Sequence, residues 1–136
     1  MPQIHIKQER IENYHLHDRY IILSGSKKIG KIIFKKKNKI LIIGFIDIYP
    51  EYRNHHYGYQ IIEYMLFHYK VHCIVGEALN SAKGFWNKCI KRFDGQRRNI
   101  SISNNCSSSF VIPRYKISND EMYKLLEIAS DIIWDN

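Results

Sequence analysis

The stretch that most restricts the fold is residues 40–49. It is apolar on both alternating faces: Ile40, Ile42, Ile46 and Ile48 on one, Leu41, Ile43, Phe45 and Tyr49 on the other. A strand that is apolar on both faces is covered on both sides and lies inside a sheet. Asp47 is its only charge, on the Phe45 face. Pro50 stops it, and a short polar loop follows. The apolar period then changes from two to about 3.6, with Ile61, Ile62, Met65, Leu66 and Tyr69 at helical spacing. Residues 71–78 return to a short strand. A strand, a helix and a strand in this order predict a parallel pair joined by a crossover helix.

The remaining segments arrange themselves around that unit. Residues 4–7, 19–24 and 29–34 read as strands. Gly25-Ser26 forms a turn, and the KKKNK run at residues 35–39 forms a hairpin connection in which Asn38 is the turn former. Residues 8–18 are polar without a clear period and read as a loop. Residues 80–93 place Ala82, Phe85, Trp86, Cys89, Ile90 and Phe93 on one helical face, with Asn80 or Ser81 as N-cap and Asp94-Gly95 as the stop. Two strands follow, at 99–103 and 109–112. Ser118 with Glu121 forms a capping box that opens a last helix carrying Met122, Leu125, Leu126 and Ala129. The expected class is α+β: three layers, a mixed and mostly antiparallel central sheet with a central parallel pair, flanking helices and an extra C-terminal helix. At 136 residues the chain fits one domain, 1–136.

Three cysteines, an odd count without CxxC or zinc spacing, suit a reducing compartment. His15 and His17 are two apart, with no third ligand nearby, so no metal is expected. No apolar run follows Met1, and no stretch approaches a membrane span, so neither leader nor membrane is expected and a cytoplasmic location is. The net charge of +8 favours an acidic partner, or serves solubility alone. Lys35, Lys36, Lys37 and Lys39 form one basic cluster, and Lys88, Lys91, Arg92, Arg97 and Arg98 another. Either is a solvated surface or a contact for phosphate, tRNA or DNA, and no RNA- or DNA-binding signature accompanies them. Walker A, GxSxG and GxGxxG patterns are absent, which removes support for nucleotide hydrolysis, serine esterase and dinucleotide readings.

The chemistry concentrates where the central strand ends and the helix begins. A helix N-terminus presents unpaired N–H groups and the positive end of its dipole, a ready anion site. Gly58 allows close backbone approach there, and Arg53 adds charge. A pyrophosphate suits this place.

At these residues the chain resembles the GNAT superfamily of N-acetyltransferases. Its members carry a strand, a Pro and then an Arg/Gln-x-x-Gly-x-Gly/Ala loop that opens a helix and holds the CoA pyrophosphate. Arg53-Asn54-His55-His56-Tyr57-Gly58 matches the Arg and the second Gly, with His56 at the first Gly and Tyr59 just beyond. The resemblance implies acetyl-CoA as cosubstrate. It also implies that the backbone of Ile46, Asp47 and Ile48 pairs with the pantetheine arm. A second likeness covers the strand at 73–78 and residues 80–88, where Phe85, Trp86 and Lys88 occupy the family's aromatic-aromatic and Lys positions. Many members use a Tyr there as general acid. Trp86 stands in its place and cannot donate a proton near neutral pH, so it is expected to wall the thioester pocket. The likeness extends over residues 19–112. The helices that the family commonly places between its first two strands have no counterpart, since residues 8–18 are too few.

An amine attacking a thioester needs a base for its proton. Asp47 and Glu77 are the candidates, because a carboxylate among apolar side chains holds a proton more readily. The plainer alternative for each is an exposed strand-end carboxylate. Asn80 binds cofactor or only caps its helix. His55 and His56 either hold phosphate or are ordinary loop residues. The function implied is N-acetyl transfer to an amine on a small molecule, a protein or RNA. The alternative is a non-catalytic module on the same fold that binds nucleic acid or protein. The last helix covers the sheet, covers the acceptor side or makes a homodimer.

Overall fold

The computed structural model of the protein describes residues 3–11, 14–53, 56–78, 83–102 and 105–135. Seven strands form one sheet: β1 (Ile4–Ile11), β2 (Tyr14–Ser24), β3 (Lys27–Lys37), β4 (Ile40–Ile48), β5 (Cys73–Ala78), β6 (Gln96–Ile102) and β7 (Asn105–Pro113). Their order across the sheet is β1-β2-β3-β4-β5-β7-β6. Every neighbouring pair is antiparallel except the central β4–β5 pair. Helix α1 (Tyr57–His68) connects those two strands, α2 (Lys83–Arg92) connects β5 to β6, and α3 (Asn119–Asp135) ends the chain.

The three-layer reading holds. The larger core lies between the sheet and α1 and α2, built from Ile22, Ile32, Leu41, Ile43 and Ile74 against Ile61, Ile62, Met65, Leu66, Trp86 and Cys89. Each of the four α1 side chains is at most 1% exposed. Complete burial of such a side chain contributes about 1.5–3 kcal/mol, more than intrinsic propensity offers this helix. The smaller core lies on the other face, where Met122, Leu126 and Ala129 of α3 meet Ile42, Cys73, Val75 and Val111. Of the roles open to the last helix, the structure places it as the cover of β5, β7 and β6. Its start carries half of the expected capping box, the Glu121 N–H donating to Ser118 Oγ at 3.2 Å.

Two expectations about the strands need correction. Residues 8–18 are not a loop, for β1 runs to Ile11 and β2 starts at Tyr14, the two pairing as a hairpin with a register shift between Gln8 and Arg10. The hairpin edge is held by its backbone ladder, so polar residues extend it without an apolar alternation. Likewise Lys35, Lys36 and Lys37 continue β3 opposite Ile42, Leu41 and Ile40, and the turn is only Asn38-Lys39, with Asn38 at φ 57°.

A further correction concerns the faces of β4. Ile33 pairs with Phe45 and Phe34 with Ile43, which leaves Gly44 as a one-residue bulge. The bulge reverses the alternation. Leu41 and Ile43 face the α1 side before it, and Ile46 and Ile48 face that same side after it. Phe45 and Asp47 therefore point to the opposite face, and Phe45 is 51% exposed.

Cys73 and Cys89 are free and buried, one in each core. Burial pushes both thiols up to about 12, and the negative charge of Glu121 adds to the effect at Cys73. Both are inert as nucleophiles near neutral pH.

Candidate functional site

The parallel ladder between β4 and β5 ends at Ile43–Gly76, while β4 continues to Ile48 and β5 to Ala78. Past the bulge the two strands part. The gap opens into a cleft of about 900 Å³ lined by Ile46, Asp47 and Ile48 of β4, by Tyr52, Arg53 and His56 of the loop, by the start of α1, and by Gly84, Phe85 and Lys88 of α2. A volume of this order accommodates a ligand the size of a coenzyme.

The loop has a defined local logic. Pro50 opens a single 3-10 turn, Pro50–Tyr52, and Arg53 leaves it in extended backbone. The Arg53 side chain folds back along the strand end. Its Nε donates to the Ile48 carbonyl at 2.7 Å, and its Nη2 meets the Asp47 carboxylate at 3.1 Å. Arg53 is thus a buckle across the end of β4, and it occupies the carbonyl that a pantetheine arm was expected to use. Its side chain is 56% exposed, so the ion pair is worth at most about 1 kcal/mol and a polyanion competes readily for it.

His56 is the residue before α1, and its backbone is left-handed, φ 63° and ψ 12°. That is a conformation glycine adopts without cost, so a glycine would fit at His56 without backbone strain. The imidazole makes no capping bond and stacks on Tyr59, ring centroids 6.0 Å apart. The first helical bond runs from the Gln60 N–H to the His56 carbonyl at 3.4 Å. The amides of Gly58 and Tyr59 precede it, so the helix itself supplies them no acceptor. Both residues line the cleft.

Gly58 has a second reason to be glycine. A Cβ there would run into the ring of Phe85 from α2. Helix α2 packs its aromatic edge directly on the start of α1, which fixes one wall of the cleft.

Several expected site residues fall differently. Trp86 does not wall the pocket. It is 3% exposed and stacks on Phe110 in the core, with ring centroids 4.2 Å apart. Its neighbour Phe85 and, one turn on, Lys88 reach the cleft instead. The helical period separates them: Trp86 and Cys89 share the buried side, Phe85 and Lys88 the open one. Glu77 is exposed and lies outside the cleft lining; it pairs across the ladder with Ser109. By alternation with Cys73 and Val75 it points to the α3 face, the face that Asp47 also takes after the bulge. The two carboxylates flank the parting strands on the side opposite α1 and α2. Asp47, tied to Arg53, lacks the apolar enclosure expected of it. Tyr52 and Gly84 join the site without having been expected there, and Phe85 and Lys88, placed at the family's aromatic and Lys positions, line it as well. Asn54, His55 and Asn80, together with the proposed N-cap Ser81, lie outside the described residues, as do the side chains of His15 and His17. Among the described residues no group of three His, Cys, Asp or Glu is placed to hold a metal, and no helix is long and apolar enough to cross a membrane.

No protein-family model matches the chain, and a search of curated proteins finds no match. Solved structures do match. A GNAT-family acetyltransferase from Bacillus anthracis superposes with a TM-score of 0.55 at 16% identity, over 71% of this chain and 66% of that one, just under two thirds. The ribosomal-protein-S18-alanine N-acetyltransferase of Escherichia coli gives 0.56 at 12%, over 75% and 72%. A Bacillus subtilis acetyltransferase in complex with CoA gives 0.56 at 12%, over 83% and 99%. With the seven-stranded mixed sheet and its single parallel pair, these likenesses show that the chain has the GNAT fold.

Proposed function

We propose that this chain, built on the GNAT fold, binds acetyl-CoA in the cleft and passes its acetyl group to a primary amine. The observation that carries the reading is the parting of β4 and β5 beyond Ile43–Gly76, directly facing the start of α1. A pantetheine arm laid along Ile46–Ile48 completes the interrupted ladder, as an added strand would. The pyrophosphate sits at the Gly58 and Tyr59 amides, where the helix dipole favours negative charge. Lys88 and Arg53 supply cations on either side. Arg53 exchanges its bonds to Ile48 and Asp47 for phosphate oxygens.

The amine approaches from the opposite face, between Asp47 and Glu77. Its lone pair attacks the thioester carbonyl, an N–C bond forms and the C–S bond breaks. The ammonium proton passes to one of these carboxylates or to water between them, and the CoA sulfur leaves as thiolate. Trp86 is buried and has no acidic proton, so protonation of the sulfur falls to solvent. Positioning and polarisation of the carbonyl by backbone N–H groups near the bulge carry the rate.

The test is thiol release from acetyl-CoA in the presence of a panel of amines: polyamines, peptides with free N-termini, and aminoacylated RNA. Acceptor-dependent release is expected, weakened in the double variant Asp47→Asn, Glu77→Gln. Tight acetyl-CoA binding without release for any amine would instead favour a non-catalytic CoA-binding module. Arg53's engagement with β4 and the absence of a Tyr at Trp86 fit that second reading.

A further inference from the structure

Helix α3 lies over β5, β7 and β6, and the same face of the sheet continues beyond it across β1 to β4. There the register places two rows of side chains. One runs Lys7, Ile21, Lys31 and Asp47, and the next runs Arg19, Ile33 and Phe45. Lys7, Arg19, Lys31 and Phe45 are exposed, and Ile21 and Ile33 are half-buried. The acid in these rows, Asp47, is already matched by Arg53. Glu9 and Asp18 flank the irregular end of the β1–β2 ladder.

We propose that this open face binds single-stranded nucleic acid. Strands about 4.8 Å apart and same-face residues about 6.7 Å apart put Lys31 about 8 Å from Phe45, and Arg19 two strand spacings from it. A base stacked on the exposed Phe45 ring has its flanking phosphates within reach of both cations. The half-buried isoleucines give an apolar floor beneath the sugar and base. The arrangement joins an aromatic platform to a positive track, which is what sequence-tolerant single-strand binding requires. A net charge of +8 favours the encounter with a polyanion over one with a neutral surface. An acidic peptide would use the cations and leave Phe45 idle. The proposal is independent of acetyl transfer.

The experiment is fluorescence anisotropy of the full chain with a labelled oligouridylate of about 12 nucleotides, across about 50 to 200 mM salt. Two phosphate contacts predict a log–log salt slope of about −1.4, so affinity falls roughly 7-fold over that range. Phe45→Ala is expected to weaken binding about 5- to 100-fold, the loss of one base stack, and Phe45→Tyr to retain it. Arg19→Ala and Lys31→Ala each reduce the slope by about 0.7. Melting curves and acetyl-CoA titration confirm that each variant is folded, since none of the three residues lines the cleft. Absence of binding at low salt would overturn the proposal. So would binding that ignores these variants but disappears in Lys88→Ala, Lys91→Ala. Equal affinity for poly-glutamate with Phe45→Ala silent would overturn it in favour of an acidic protein partner.

Discussion

His56 is where backbone geometry and function meet, and its replacement gives a test whose sign decides. Two variants, His56→Gly and His56→Ala, both delete the imidazole and its stack on Tyr59. That contribution cancels when they are compared, leaving only the backbone. At φ 63° and ψ 12°, alanine bears the left-handed penalty of about 1–2 kcal/mol, which glycine does not. Against this, glycine gains more entropy on unfolding, favouring alanine by about 0.4–1 kcal/mol. The difference leaves His56→Gly the more stable by roughly 0.5–1 kcal/mol, about 2–4 °C in Tm for a domain of this size. Urea denaturation of the two variants, with equal m-values, reads the difference directly. If the residue had ordinary backbone, the entropy effect alone would act and His56→Ala would be the more stable. That result would refute the left-handed entry to α1 and with it the strain-free fit of a glycine at His56.

Gly58→Ala forces its new methyl into the Phe85 ring, and is expected to cost about 1–3 kcal/mol and to narrow the cleft. Adding Phe85→Leu should recover stability in a thermal melt, and no recovery would place the clash elsewhere. Cys73 and Cys89 keep their protons in the fold up to about 12, whereas in the unfolded chain they lose them near the ordinary 9.0. The folded state binds more protons between these values, so their stabilisation is complete below about pH 9 and declines as pH rises towards 12. Urea midpoints at pH 8 and pH 10 should therefore fall less in a Cys73→Ala, Cys89→Ala variant than in the parent, and an equal fall would contradict the buried, protonated thiols.

The crossover unit was legible because two periods follow each other without interruption. The doubly apolar strand, the stop at Pro50 and the 3.6-residue recurrence of Ile61, Ile62, Met65 and Leu66 leave few other arrangements. The capping signal at Ser118 was equally direct. The Gly44 bulge was not legible, and the same apolar excess explains why. When both faces of a strand are apolar, a one-residue slip changes which Ile faces which layer and leaves the pattern intact. The β1–β2 hairpin was hidden by its polarity at the sheet edge, where the ladder suffices. Phe85 and Trp86 show a different lesson. Adjacent aromatics on a helix point about 100° apart, so the pairing of Trp86 with Cys89 and of Phe85 with Lys88 was present in the spacing and assigns the cleft to the second pair. Arg53's bonds to Ile48 and Asp47 depend on how the 3-10 turn reverses the chain, a geometry that residue types alone do not specify.

The claim that acetyl-CoA occupies the cleft is tested most directly at Gly84. This residue lines the cleft, and a Cβ added there meets nothing within 4 Å, so a side chain starts there without a clash and a large one takes up cleft volume. Isothermal titration of acetyl-CoA into the parent chain should give binding in the micromolar range, about −8 kcal/mol. In Gly84→Trp that binding should vanish while the melting temperature stays level or rises, since glycine is a poor helix residue. No binding to the parent, or binding that Gly84→Trp leaves unchanged, would contradict the account.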